Sequence, residues 1–84
     1  MDNIEIVIAN RGWVFVGHVR RDAGYLHLSG ASVIRTWGTS KGLGEIATAG
    51  PLPSTRLDPC GQVRLSEAAV VACIACNAEK WGAH

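Results

Sequence analysis

Residues 4–20, IEIVIANRGWVFVGHVR, decide how this chain folds. From Ile4 to Ala9 the side chains alternate, with Ile4, Ile6 and Ile8 on one face and Glu5, Val7 and Ala9 on the other. That period of two is the mark of a β-strand. Asn10-Arg11-Gly12 interrupts it as a turn. Trp13 to Arg20 resumes as a second strand, with Trp13, Phe15, Gly17 and Val19 facing one way and Val14, Val16, His18 and Arg20 the other. Apolar residues on both faces between Trp13 and Val16 predict burial on both sides of the sheet there.

Outward from this pair the same reading continues. Arg21-Asp22-Ala23-Gly24 closes a hairpin, with Gly24 supplying a positive φ. Tyr25 to Ser29 returns with Leu26 and Leu28 inward; after Gly30, Ala31 to Trp37 is a fourth strand or a continuation of the third. The period then changes. Ser40 is placed to cap a short helix whose Leu43, Ile46 and Ala47 share one side, and Gly50-Pro51 stops it. Residues 51–61 read as a Pro-rich loop. Beyond it two readings compete: strands at Gln62–Leu65 and Ala69–Ala75, or an Ala-rich helix capped at Ser66 with Val70, Cys73, Ile74, Asn77 and Trp81 along one side. The expected fold is α+β, mostly β: a twisted antiparallel sheet of about five to six strands with one short helix packed on it. Residues 1–84 form a single domain: a strand meander over 1–38, a helix over 39–50, the loop over 51–61, and C-terminal strands with a short tail over 62–84.

Composition narrows the function classes. The chain has 84 residues, 48% hydrophobic and 18% charged, with a net charge of +1. So small a core contributes little net stability unaided, and the lean charge leaves apolar surface that predicts a homo-oligomer. Near-neutral charge gives no broad footprint for nucleic acid, which is not an expected partner. No run of residues reaches the roughly 18 apolar positions of a membrane span, and MDNIEIVIAN lacks the basic start of a signal peptide, so no membrane role and a cytoplasmic location are expected.

Candidate chemistry is sparse. Cys73-Ile-Ala-Cys76 has a CxxC spacing that Cys60 and His84 would have to complete for zinc; on a strand the two thiols face opposite ways, so no metal and no cofactor are expected. His18 and His27 lie on neighbouring strands and are candidates to face each other, but no acid is placed to orient them, and no catalytic residue or enzyme activity is expected. Thr39-Ser-Lys-Gly-Leu-Gly-Glu45 has the flavour of a phosphate loop without its GxxxxGK[ST] frame, and a capping loop is the favoured reading.

From Ala31 to Gly50 the chain resembles a family of small uncharacterised bacteriophage and prophage proteins. The resemblance is carried by Val14-Phe15-Val16 before Gly17, by Ala31, Ile34 and Trp37 followed at once by Gly38, by Leu43 to Ala47, by Gly50, and by Ala75-Cys76 near the end. The family's basic residues after the Ala, and its aromatic before the Trp, are here Ser32, Val33 and Arg35, so any surface built from them is only partly present. The resemblance favours strand over helix in the last third and implies phage origin, self-association and no enzyme activity.

Three functions follow as expectations. The first is a phage accessory protein that binds a host protein or protein complex stoichiometrically and so inhibits an antiviral defence component, in the manner of an anti-CRISPR. The second is an oligomeric sponge sequestering a host nucleotide signal, and the third a virion structural or assembly component. Arg35, Trp37, Gly38, Lys41 and Trp13 are the candidate partner- or ligand-binding residues. Trp37, ending a strand before a Gly, either closes one end of the core or projects as an interface anchor; the buried reading is favoured.

Overall fold

The computed structural model describes residues 3–81. Five strands, β1 (Asn3–Ala9), β2 (Val14–Asp22), β3 (Tyr25–Thr36), β4 (Arg56–Ser66) and β5 (Val70–Ala75), form one antiparallel sheet in the order β4-β3-β2-β1-β5. Two helices, α1 (Leu43–Ala49) and the four-residue α2 (Ala78–Trp81), complete the fold. It is mostly β, as the alternation predicts. Among the described residues no helix is long and apolar enough to cross a membrane.

β4 and β5 are the two edges of the sheet, yet only a 3-10 turn, Glu67–Ala69, joins them. Ser66 ends β4 at the Asp22–Tyr25 end of the sheet, whereas Val70 starts β5 at the opposite, Ala9–Val14 end. A flat sheet would part them by four inter-strand steps, about 19 Å, and by most of a strand length besides, while three residues of 3-10 helix advance about 6 Å. The sheet must therefore fold over on the diagonal until these two corners meet. Register shifts between Val16 and His18, between Leu28 and Ala31, and between Ala31 and Ser32 mark where β2, β3 and β4 bend. Gly17 permits the close approach: a Cβ there would sit 3.1 Å from the Ala31 Cα and 3.1 Å from the Ser29 carbonyl oxygen.

Curling divides the core in two, as a strand apolar on both faces requires. Val7, Phe15, Val19, Leu26, Leu28 and Ala31 fill the concave side. Ile4, Ile6, Val14, Val16 and Ile34 face the other way and are covered by Leu43, Ile46 and Ala47 of α1 and by Trp81 of α2. Trp81 is 0% exposed, and its indole N–H donates to the Ile46 carbonyl at 2.9 Å, tying the two helices together.

The strand count of five falls within the expected five to six, because residues 25–36 run as one strand through Gly30, the continuation that the sequence allows. Several other sequence expectations are corrected. Trp13 precedes β2 rather than opening it. The loop expected over 51–61 ends sooner, since Arg56 to Gly61 pair with β3 despite Pro59; β4 is an edge strand, where a missing N–H is tolerated. In the last third, Ser66 does cap, accepting from the Ala68 N–H at 3.3 Å, but it caps the 3-10 turn and not a long helix. Helix α1 starts at Leu43, with Gly42 and not Ser40 at its cap position. Gly50 ends it as expected, its N–H donating to Ile46 at 2.8 Å.

Candidate functional site

The five residues singled out from the sequence do not converge. Arg35 is held by Asp58 of β4 at 2.7 Å, which satisfies its charge at the sheet edge. Trp37 is 43% exposed, so it does not close the core; Trp81 does. The Trp37 carbonyl accepts from the Thr55 hydroxyl at 2.7 Å, and Gly38, at φ 66, lies where a Cβ would collide with the Ser54 carbonyl group. Gly38 is thus a backbone packing position. Around Lys41 the loop amides are already occupied: Glu45 accepts from the Ser40 and Lys41 N–H groups at 3.1 and 3.3 Å, and Thr39 accepts from Gly42 at 2.9 Å. A carboxylate seated where an anion would sit rules out the phosphate-loop reading of residues 39–45.

Trp13 is different. Its ring is 54% exposed and stacks on Phe15, with centroids 5.8 Å apart and planes 5° from parallel. Ala9, Asn10, Leu65 and Ala69 complete a shallow apolar cleft of about 230 Å³ around it. The cleft sits where the 3-10 turn brings β4 toward β1.

A second groove, of about 550 Å³, crosses the part of the sheet that the helices leave bare. Arg20 on β2 lies directly opposite His27 on β3, and His27 directly opposite Arg64 on β4. The three side chains form one cross-strand row, with Ser29 and Gln62 beside it. Two strand spacings place Arg20 and Arg64 about 10 Å apart with the imidazole between them. Arg64 has no carboxylate partner among the described residues; its guanidinium carbon lies 5.0 Å over the Tyr25 ring. Arg20 meets Asp22 at 3.5 Å with both side chains more than half exposed, a contact worth little in water. Arg21 and Arg35, by contrast, are committed to Glu5 and Asp58. The row therefore sets side by side two arginines that no close ion pair consumes, as none consumes Arg11 and Arg56 elsewhere on the described surface.

Nothing in the sequence pointed to this row. The polar members of each alternation are legible, but which of them stand side by side depends on register, which bulges shift. His18 shows the same effect: it opposes Ser29, so the two histidines are diagonal neighbours and do not face each other as the spacing suggested.

The cysteines do not assemble. Cys73 opposes Val7 of the concave face, while Cys76 packs with the core beneath the helices, so the two thiols lie on opposite faces. Among the described residues no three His, Cys, Asp or Glu side chains are grouped to hold a metal, and His84 lies outside those residues. Burial pushes the Cys60 and Cys73 thiols above their ordinary range and Cys76 up to about 11, which disfavours the thiolate that nucleophile or metal-ligand chemistry needs.

No protein-family model matches the chain, and no curated protein matches it.

Proposed function

We propose that this protein acts without catalysis, by stoichiometric binding of an anionic ligand on the outer face of β2, β3 and β4. The observation that carries the reading is the Arg20–His27–Arg64 row. Two guanidinium groups flank an imidazole on neighbouring strands, held by no more than the exposed Arg20–Asp22 contact, so an anion seated between them would gain charge-assisted hydrogen bonds. The row offers donors for an anion and no nucleophile with an oriented base. Its context in this reading is a phage or prophage accessory protein in the cytoplasm of a bacterial host, titrating an anionic signal of the host's antiviral response. The sequence resemblance supports that context, and the groove supports the sequestration.

Calorimetric titration with inorganic pyrophosphate tests the reading. One site per chain, weakened at least tenfold in Arg20→Gln and in Arg64→Gln and weakened by added salt, is the expected result. Absence of binding, or binding indifferent to both substitutions, refutes it.

One observation favours a second reading, docking of a host protein: the exposed Trp13 ring over Phe15 at an apolar cleft, a common anchor chemistry at protein interfaces. Trp13→Ala would then abolish complex formation with a host protein and leave the melting temperature almost unchanged. Self-association belongs to both readings.

A further inference from the structure

Beside the groove, next to His27 and Arg64 of its lining, lies a surface that inorganic phosphate would not use. Tyr25 opens β3 at the hairpin, two residues from His27 and on the same side of the sheet, and it is 42% exposed. Its ring carries the Arg64 guanidinium at 5.0 Å and lies 6.4 Å from the His27 ring, tilted 56°. Two aromatic rings and a planar cation thus gather beside the Arg20–His27–Arg64 row. Arg64 is exposed, so its guanidinium, above the Tyr25 ring, is open to solvent on the side away from that ring. A flat heterocycle finds there a stacking surface of the kind that Tyr and Arg provide to nucleobases.

We infer that the ligand of this groove is a nucleotide of one base, stacked on the Tyr25–Arg64 platform with its phosphates on Arg20 and His27. This rests on the anion-binding reading above and names the ligand class of the same site. The dimensions agree: a groove of about 550 Å³ lies within the range of small-ligand sites. A nucleic acid strand fits less well. Strand binding repeats aromatic platforms along a continuous basic track, whereas one platform and a net charge of +1 serve one base and its phosphates. Tyr25 is the specificity element and Arg20 the phosphate element, so the two contributions separate.

Calorimetric titrations of the full chain with adenosine diphosphate, guanosine diphosphate, inorganic pyrophosphate, adenosine and an oligothymidylate series test this. At least one of the two diphosphates should bind tenfold or more tightly than pyrophosphate, and adenosine weakest of all. Tyr25→Ala should erase that preference while leaving pyrophosphate affinity within about twofold; Tyr25→Phe, which keeps the ring, should preserve it and serves alone if Tyr25→Ala does not fold. Arg20→Gln should weaken diphosphates and pyrophosphate together. Equal affinity for the diphosphates and pyrophosphate overturns the nucleotide inference and leaves anion binding standing. Failure of all anions overturns both. Affinity that climbs with oligothymidylate length past that of either diphosphate assigns the groove to a strand and also overturns the inference.

Discussion

The carboxylate of Glu5 accepts two hydrogen bonds from the guanidinium of Arg21, both at 3.0 Å, across the bend in β2. Glu5 opposes Gly17 in the β1–β2 ladder, and four residues of extended strand, about 14 Å, separate Gly17 from Arg21. The pair spans the register shift of β2 between Val16 and His18 and so braces the strand there. The bonds to Glu5 hold the Arg21 pKa above its ordinary value. Because the Glu5 side chain is 11% exposed and that of Arg21 48%, breaking the pair from the arginine side strands a nearly buried carboxylate. Arg21→Ala is expected to cost about 2 kcal/mol, below the range for fully buried pairs, and Glu5→Gln less. Urea denaturation of both variants and their combination measures this; an unchanged midpoint for Arg21→Ala contradicts it.

Trp81, and not Trp37, should carry the stability cost expected of a core tryptophan. Trp81→Ala empties the space between α1 and the sheet and is expected to cost about 3–5 kcal/mol, enough to unfold a domain of this size. Trp37→Ala, at a position 43% exposed, should cost about 1 kcal/mol or less. Thermal melts followed by circular dichroism distinguish them.

The hairpin between β2 and β3 turns on Ala23 and Gly24, at φ 51 and 84. Two positive φ values in a two-residue loop define the turn that favours Asn-Gly. Alanine in that region is strained by roughly 1 kcal/mol, so Ala23→Asn should raise stability by about 0.5–1 kcal/mol. A lower melting temperature for this variant would contradict the turn geometry.

Cys76 gives the protein an alkaline limit. Burial raises its thiol from the ordinary 9.0 to about 11, so the folded state holds the proton more tightly than the unfolded chain. The resulting contribution is complete below pH 9 and is lost as the pH climbs through about 11. Denaturant midpoints taken from pH 8 to pH 11 should fall in wild type and fall less in Cys76→Ala, with the two series diverging only above pH 9.

The outer edge of β5 reads Val-Val-Ala-Cys-Ile-Ala, without charge, proline or glycine, whereas β4 carries Arg56, Asp58, Pro59 and Arg64. Charges and proline are the usual protection of a sheet edge, so self-association is expected along β5. Light scattering should give a mass above the 8.9 kDa of one chain at micromolar concentration. Val71→Lys, at a position 65% exposed, should return it to that mass without a change in secondary structure.

The local pattern of the chain was sufficient for what depends on near neighbours. Alternation in residues 4–20 placed β1 and β2 and the burial of both faces, Gly50-Pro51 placed the end of α1, and the spacing of Leu43, Ile46 and Ala47 placed its buried side. These features are decided within a few residues by backbone sterics and side-chain period. What the sequence left open is decided between strands. Residues 56–61 look like a loop by composition and become strand only because β3 offers them a ladder. Trp81 and Trp37 are both plausible core residues until the path of the chain brings α2, and not the Trp37 loop, over the sheet. The Arg20–His27–Arg64 row draws on three strands, aligned by bulges whose positions shift the register. A one-residue change of register would send His27 to the other face, so that row is a property of the tertiary structure alone.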